Sequence, residues 1–158
     1  MSARRWLALA ALIALLPVSA AVGQAPPPPA PAPGNPAPPA VVAELQGALS
    51  EAMMRLESMD LDGVLAGVSD RYRTGPLTKP VLRQQLMAIF AAYDTLRARV
   101  RIDEVRMIGE RAWVSSTGEV TGRVRWLGTP MSVLSWEREP EIAWRENGRW
   151  RLIGDQQS

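Results

Sequence analysis

The sequence contains no cysteine among its 158 residues. This absence excludes disulfide bonds, thiolate chemistry and a lipidated N-terminal cysteine, so the folded chain depends on its apolar core for stability. Histidine is absent as well. The chain therefore lacks the side chain that most often acts as a general base near neutral pH and most often binds metals. No carboxylate run of the type DxDxDG occurs, and we predict neither a metal nor another cofactor.

Long apolar runs are also scarce. The run at residues 7–16 follows Arg4 and Arg5 and ends at Pro17. It is about half as long as the roughly 20 residues that a membrane span requires. Small residues follow at Ser19, Ala20, Ala21 and Gly23, as in a cleaved leader. We therefore predict a signal peptide over residues 1–23, a periplasmic or secreted location in a bacterium, and no stable membrane anchor after the leader is removed.

The excess of positive charge is confined to this leader. The full chain has a formal net charge of +2, and removing Arg4 and Arg5 leaves 16 basic side chains against 16 acidic ones. A nearly neutral domain lacks the basic surface typical of nucleic-acid-binding proteins. We predict no nucleic-acid partner.

Proline is concentrated in one segment. Nine of the 14 prolines lie between residues 25 and 39. Proline fixes φ and has no N–H, so such a segment favours an extended polyproline conformation. We predict a proline-rich spacer over residues 24–39, one folded domain over residues 40–155 and a short tail over residues 156–158.

Apolar residues at helical spacing predict three helices in the first half of this domain. The first follows Pro39 and carries an apolar stripe from Val42 to Met59. The second lies within SMDLDGVLAGVSDRY, with Asp60 as its N-cap. The third follows Thr78, and its inward-facing residues extend to Tyr93.

From Ala98 onward the apolar residues recur at every second position, which is typical of half-buried strands. The alternation changes parity at residues 103 and 104, which predicts a β-bulge. Hairpin turns are predicted at Gly109-Glu110 and at Asn147-Gly148, and a further strand at about residues 130–137. The first of these hairpins pairs Met107 with Ala112 and Val105 with Val114.

Three helices followed by a bent antiparallel sheet resemble the nuclear-transport-factor-2-like superfamily, whose SnoaL-like branches include many exported bacterial proteins. The resemblance rests on SMDLDGVLAGVSDRY, TKPVLRQQLMAIFAAY, GERAWV and WRENGRWRLIGD. It implies an α+β fold of the cystatin-like cone type, with three N-terminal helices packed in the concave face of a strongly curved antiparallel sheet. Isomerases, dehydratases, epoxide hydrolases, polyketide cyclases and non-catalytic scaffolds share this cone, so the fold alone does not define the activity.

Candidates for acid–base chemistry are few. Without histidine, a dehydratase-like or cyclase-like reaction would depend on a carboxylate and a tyrosine, and the nearest candidates are Asp60, Asp70, Tyr72 and Tyr93. We interpret Asp60 as a helix cap, Asp70 as a solvated residue at a helix end and Tyr72 as a core residue with its hydroxyl at a pocket rim. Strand alternation places Glu119 on the outer face. We therefore predict no catalytic residue.

Two Trp-Arg units flank the last predicted turn. A two-residue turn places Arg145 opposite Trp150 and Trp144 opposite Arg151, with the two pairs on opposite faces of the sheet. We predict that Trp150 faces the cone. Arg145 then requires a helix carboxylate or an anionic ligand as its partner, and we prefer an internal ion pair or an arginine that reaches out of the cone mouth. The predicted ligand pocket comprises Tyr72, Tyr93, Arg145 and Trp150.

The outer face carries the second group of candidate residues. They are Trp113, Trp144, Arg106 and Arg151, a surface rich in tryptophan and arginine. Local cation–π packing across strands explains such a surface, and so does a homodimer that forms through the sheet. Binding to an anionic surface is a third alternative, which the neutral charge disfavours.

These observations lead to one prediction with two alternatives. We predict an exported single-domain protein that binds a small apolar or anionic molecule, or a partner, without evident catalytic machinery. The first alternative is a cofactor-free lyase or isomerase that uses a tyrosine and a carboxylate in the cone pocket. The second is a structural homodimerisation module whose cone is filled by side chains.

Overall fold

The computed structural model of the chain describes residues 32–154. The predicted signal peptide, the first part of the spacer and the tail lie outside these described residues. The helices are α1 (Pro39–Glu57), α2 (Leu61–Ala66) and α3 (Lys79–Ala92). The strands are β1 (Asn35–Pro36), β2 (Arg73–Thr74), β3 (Leu77–Thr78), β4 (Tyr93–Ile108), β5 (Arg111–Val124), β6 (Pro130–Glu146) and β7 (Arg149–Leu152).

Local signals explain where the helices begin. Pro39 occupies the first turn of α1, where a missing N–H breaks no helical hydrogen bond. The carboxylate of Asp60 accepts a hydrogen bond of 3.0 Å from the backbone N–H of Gly63, which confirms the predicted cap of α2. Thr78 precedes α3 as predicted, although its side chain makes no capping hydrogen bond.

The end of α3 differs from the prediction. Tyr93 was expected to continue the helix, but its φ of −113° and ψ of 145° are those of a strand, and it opens β4 five positions before Ala98. Tyr93 pairs with Val124 of β5, and its ring lies against the backbone of Gly122. Pairing with a distant strand thus overrides the helical spacing of the local sequence.

The main sheet is antiparallel, and its strands follow the order β1-β4-β5-β6-β7. The predicted bulge is confirmed by a register shift between Ile102 and Glu104. Beyond this bulge Met107 pairs with Ala112 and Val105 with Val114, also as predicted.

Strand β6 is longer than predicted. The alternating pattern indicated a strand ending near residue 137, whereas β6 continues to Glu146 and includes the first half of the last hairpin. A register shift lies where Ser116 pairs with Glu139 and Gly118 with Trp136, and Arg138 has a φ of 49° there. This bulge absorbs the extra residue and lets one bent strand take the place of the two that the sequence pattern suggested.

The folded part also begins earlier than residue 40. Asn35 and Pro36 pair with Met107 and Arg106, so the last residues of the predicted spacer form the edge strand β1. Arg106 donates to the carbonyl oxygens of Pro33 and Gly34 and holds this segment against β4.

The core lies between α1 and the inner face of the sheet, in two clusters. The larger one joins α2 and α3 to the first part of β4, and includes Leu56, Leu86 and Trp136. The smaller one surrounds Leu45 and Ala143 at the start of α1. These layers confirm the predicted α+β cone of three helices against a five-stranded antiparallel sheet. In the range 32–154 no helix has the length and apolar character needed to cross a membrane.

Candidate ligand-binding cavity

A cavity of about 90 Å³ lies between α1 and the inner face of the sheet. Helix α1 contributes one wall, formed by Leu45, Ala48, Leu49, Ala52 and Met53. The sheet contributes the opposite wall, which includes Val100, Ile102, Val114, Trp136, Ala143 and Trp150. The lining is therefore predominantly apolar, as is usual for sites that bind small organic molecules.

The cavity exists because small residues line the junction of the two core clusters. Leu45 and Ala143 belong to one cluster, and Val64 and Trp136 belong to the other. Ala48 and Ala52 occupy successive turns of α1 at this junction and leave space that a larger side chain would fill. The amphipathic stripe of α1 was evident from the sequence, but the space beside it depends on how the helix crosses the curved sheet.

Three lining residues have polar or charged side chains: Ser116, Glu141 and Arg151. The hydroxyl oxygen of Ser116 accepts a hydrogen bond of 3.1 Å from the indole N–H of Trp136, which fixes the orientation of this ring. Ser116 and Trp136 are both buried, so the bond forms in a dry environment.

Glu141 is the functional candidate that the sequence analysis missed. It pairs with Val114 and precedes the buried Ala143 by two positions, so it lies on the inner face of β6. The signal was present in the sequence, because counting back by two from Ala143 reaches Glu141. The sequence pattern predicted that the strand ends near residue 137. The alternation of inner and outer residues was therefore not followed as far as Glu141.

The structure does not bring the four predicted pocket residues together. Trp150 lines the cavity, whereas Tyr72, Tyr93 and Arg145 are not among its lining residues. Tyr72 is 2% exposed in the larger core cluster, and Tyr93 packs at the edge of the same cluster. No Tyr–carboxylate pair therefore faces this cavity.

Arg145 forms an ion pair with Glu44 of α1, in agreement with the preferred interpretation of this arginine. The same carboxylate oxygen accepts a hydrogen bond of 2.7 Å from the indole N–H of Trp150. The Arg145 guanidinium also lies over the Trp150 ring, 5.0 Å from its centre. These three side chains join α1 to the last hairpin beside the cavity.

The inward orientation of Trp150 is confirmed. Trp150 pairs with Arg145, the adjacent inner pair joins Leu152 to the buried Ala143, and both Trp150 and Leu152 line the cavity. The alternation rule placed Trp144 and Trp150 on opposite faces, and the preference for Trp150 as the inner residue agrees with the structure, but the sequence did not identify Glu44 as the partner of Arg145.

The other acidic candidates have structural partners. Asp60 caps α2, and Asp70 is exposed and accepts a hydrogen bond of 2.7 Å from Lys79. That hydrogen bond, together with the Lys79 charge, holds the pKa of Asp70 below its ordinary value. Glu119 is exposed on the outer face, as predicted.

Within residues 32–154 no cluster of acidic side chains could hold a metal ion.

On the outer face, Trp144 packs between two arginines. The guanidinium carbons of Arg71 and Arg111 lie 4.6 Å and 5.5 Å from its ring centre. Arg151 pairs with Trp144 across the strands as predicted, and its guanidinium lies 3.7 Å from the carboxylate of Glu146. Cation–π packing therefore occurs at Trp144, with Arg71 and Arg111 as the contacting cations.

Arg106 and Trp113 complete the predicted outer patch. They form a cross-strand pair, but the Arg106 guanidinium is bonded to Glu104 and to the chain that enters α1. Trp113 is half-buried. Dimerisation through this face stays a prediction.

No protein-family model matches the chain, and no curated protein is significantly similar to it in sequence. Solved structures nevertheless share its fold. A proposed scytalone dehydratase from Novosphingobium aromaticivorans aligns with a TM-score of 0.62 at 10% identity, covering 72% of this chain and 80% of the other. A ketosteroid isomerase-like protein from Erwinia carotovora atroseptica aligns with a TM-score of 0.56 at 18% identity, covering 71% and 90%.

A proposed dehydratase of the nuclear-transport-factor-2-like family from Streptomyces avermitilis aligns with a TM-score of 0.58 at 12% identity. The alignment covers 74% of this chain and 94% of the other. At these identities the similarity establishes the fold. The chain has the nuclear-transport-factor-2-like fold, which its sequence resemblance had implied.

Proposed function

We propose that this protein, which has the nuclear-transport-factor-2-like fold, is an exported binding protein for a small, mainly apolar molecule. The observation that carries the proposal is the apolar cavity between α1 and the sheet. The side chains of Met53, Trp136 and Trp150 line this space without filling it. A preformed apolar cavity binds a small ligand without the cost of opening a site.

The polar groups of the lining narrow the ligand class. Glu141 is the one acidic residue among those that line the cavity, and the one basic lining residue, Arg151, forms an ion pair with Glu146. The lining therefore favours a neutral ligand with a hydroxyl or amine donor over an anionic one. The prediction of an anionic ligand depended on Arg145. This arginine forms an ion pair with Glu44, and neither residue lines the cavity. We therefore propose an apolar body with one hydrogen-bond donor.

The experiment uses benzene, phenol and benzoate as probes and follows their titration by backbone amide NMR. We expect phenol to bind with a dissociation constant on the order of 1 mM, since small ligands gain limited free energy per atom. Benzoate should bind more weakly than phenol because of the Glu141 charge. Absence of saturable binding for all three probes would contradict the proposal.

A matched pair of variants locates the binding. Ala52→Phe places a large side chain in the cavity wall and should abolish phenol binding. Ala43→Phe adds the same side chain to an exposed position of the same helix and should leave binding unchanged. Equal binding by both variants would show that the probe binds elsewhere.

A second candidate function follows from Glu141 alone. A carboxylate on the inner face of an apolar cavity has the chemistry of a general base for a carbon acid next to a carbonyl. The cofactor-free isomerase or lyase would then use Glu141 in place of the tyrosines, since Tyr72 and Tyr93 do not line the cavity. This alternative also accords with the enzymes named among the similar structures.

Proton exchange tests the catalytic alternative directly. In D2O the protein should accelerate deuterium incorporation at the carbon next to the carbonyl of cyclohexanone, and Glu141→Gln should remove the acceleration. If the wild-type protein and the variant give the background rate while phenol still binds, the binding function stands and the catalytic one fails.

A further inference from the structure

An exposed apolar tip connects β5 to β6. Trp126 is 79% exposed and Leu127 is 71% exposed, and they are the two most exposed large hydrophobic residues between residues 32 and 154. They are adjacent in the chain and lie in the turn that ends the long β5–β6 hairpin. Apolar groups displayed together on a protruding turn indicate a surface that contacts something other than water.

The tip is held in place by Arg125. Its guanidinium donates to the carbonyl oxygens of Phe90, Ala91 and Tyr93 at 3.1 Å each. Its backbone N–H donates to the carbonyl oxygen of Ala92 at 3.0 Å. The end of α3 therefore serves as the support for the turn.

The turn also closes on itself. The N–H of Gly128 donates to the carbonyl oxygen of Val124 at 2.8 Å, and Gly128 adopts a φ of 64° that few other residues accept. Trp126 and Leu127 are thus displayed by an ordered turn, and a contact there would not require the turn to be ordered first.

The charge around the tip is positive. No acidic residue occurs between Glu119 and Glu137, whereas Arg123 and Arg125 lie beside the turn. The charge of Arg123 is matched by Asp94, whose carboxylate is 2.8 Å from it. The hydrogen-bond partners of Arg125 are neutral carbonyl oxygens, and Arg123 and Arg125 share the single carboxylate of Asp94, which leaves one net positive charge beside the turn.

We propose that residues 125–127 form a peripheral contact site for an anionic lipid surface. Tryptophan and leucine would enter the region between headgroups and acyl chains, while Arg125 lies at the level of the lipid phosphates. Met131, which is 49% exposed and pairs with Gly122 on the adjoining part of the hairpin, adds an apolar flank.

The shape of the tip favours a bilayer over a protein partner. A turn of five residues between β5 and β6 exposes two large side chains, which suits insertion into a soft interface, whereas protein–protein contacts of standard size need a broad complementary patch. With one uncancelled arginine and few apolar residues, the contact would be reversible and sensitive to salt. The site is distinct from the cavity and does not depend on the proposed ligand.

The experiment uses protein expressed as the full chain, recovered from the periplasm of a bacterial host, with its N-terminus determined by mass spectrometry. Co-sedimentation is measured with vesicles of phosphatidylglycerol and phosphatidylcholine in equal parts, and with phosphatidylcholine alone. We expect binding to the anionic vesicles that falls as the salt concentration rises from about 0.1 M to about 1 M. Trp126→Ser with Leu127→Ser should weaken it by roughly tenfold or more.

The control pair, Met54→Ser with Met87→Ser, removes exposed apolar side chains on α1 and α3 and should leave vesicle binding unchanged. Brominated phosphatidylglycerol should quench the fluorescence of the wild-type protein and not that of Trp126→Phe. Equal binding by the tip variant and the control, or no binding by the wild-type protein, overturns the proposal.

Sedimentation velocity distinguishes the principal rival. A wild-type dimer that becomes a monomer in the tip variant, with no binding to either vesicle, would show that the tip contacts a second copy of the chain and would overturn the lipid assignment. The lipid assignment is supported if the wild-type protein and the tip variant sediment alike and only the wild-type protein binds anionic vesicles strongly.

Discussion

Gly118 shows how closely single residues control the inner face of the sheet. A Cβ atom at this position would lie 2.4 Å from the Trp136 ring, so the ring packs directly on the glycine backbone. The bulge in β6 at residues 137 and 138 lies beside this contact, where Gly118 pairs with Trp136. The absence of a side chain on β5 thus allows a large indole to pack in the core.

Replacing Gly118 by alanine should destabilise the protein, because the ring of Trp136 must move. We expect a loss of roughly 1–3 kcal/mol in the free energy of unfolding, as for other overpacked cores. Urea unfolding followed by tryptophan fluorescence measures the change.

Gly47→Ala is the matched control. Gly47 is exposed on α1, and a Cβ atom added there would have no other atom within 4 Å, so alanine should stabilise the helix by about 0.5–1 kcal/mol. Opposite signs for the two substitutions are expected. A neutral or stabilising Gly118→Ala would show that the Trp136 ring is free to move.

At the scale of elements, β1 depends on one arginine. Arg106 donates to the carbonyl oxygens of Pro33 and Gly34, and also to the Glu104 carboxylate. Gly34 has a φ of 81°, and a Cβ there would lie 2.2 Å from the carbonyl oxygen of Met107. The short edge strand therefore needs both the arginine and the glycine.

Arg106→Met should release residues 33–37 from β4. The backbone N–H of Ala37, which donates to the carbonyl oxygen of Val105 at 3.1 Å, should lose protection from hydrogen exchange by about tenfold or more. Hydrogen exchange measured by NMR reports this amide directly.

Arg99→Met, an exposed substitution on the same strand, is the control and should leave the exchange of Ala37 unchanged. Equal exchange in both variants would mean that backbone pairing alone holds β1.

Across the whole molecule, aspartates bonded to arginine, lysine and threonine link stability to pH. The hydrogen bond from Arg123 lowers the pKa of Asp94, and the bond from Lys79 lowers the pKa of Asp70. Burial raises the pKa of Asp103, but hydrogen bonds from Thr117 and Arg101 outweigh it, and the pKa is lowered.

A lowered pKa in the folded state stabilises the protein above the unfolded-state pKa of about 3.9. The stabilisation is lost as the pH falls from about the unfolded-state pKa through the folded-state values, because in this range the unfolded state binds protons that the folded state does not yet bind. We therefore expect stability to fall below about pH 5.

Asp94→Asn should make this decline with pH shallower. Arg123→Met removes the same Arg123–Asp94 hydrogen bond and should have a similar effect. The double variant should not change the slope of the unfolding free energy with pH any further. Chemical unfolding between neutral pH and about pH 3 tests this. An undiminished slope in Asp94→Asn would show that the decline arises from other groups.

Features that depend on neighbouring residues could be predicted from the sequence. The stripe of α1, the Asp60 cap, the bulge after Ile102 and the last hairpin all follow from local spacing. Local spacing was sufficient there because period and turn chemistry specify which face a side chain occupies. The same alternation placed Trp144 and Trp150 on opposite faces of the last hairpin.

Contacts between residues that are distant in the chain depend on the three-dimensional packing and could not be predicted. Glu44 and Arg145 are 101 positions apart in the chain, and their contact depends on how α1 crosses the sheet. Tyr93 became a strand residue because β5 pairs with it, and Glu141 reached the cavity because β6 continues through its bulge. The cavity itself is the space that remains where two core clusters meet around small side chains, and no local pattern encodes that space.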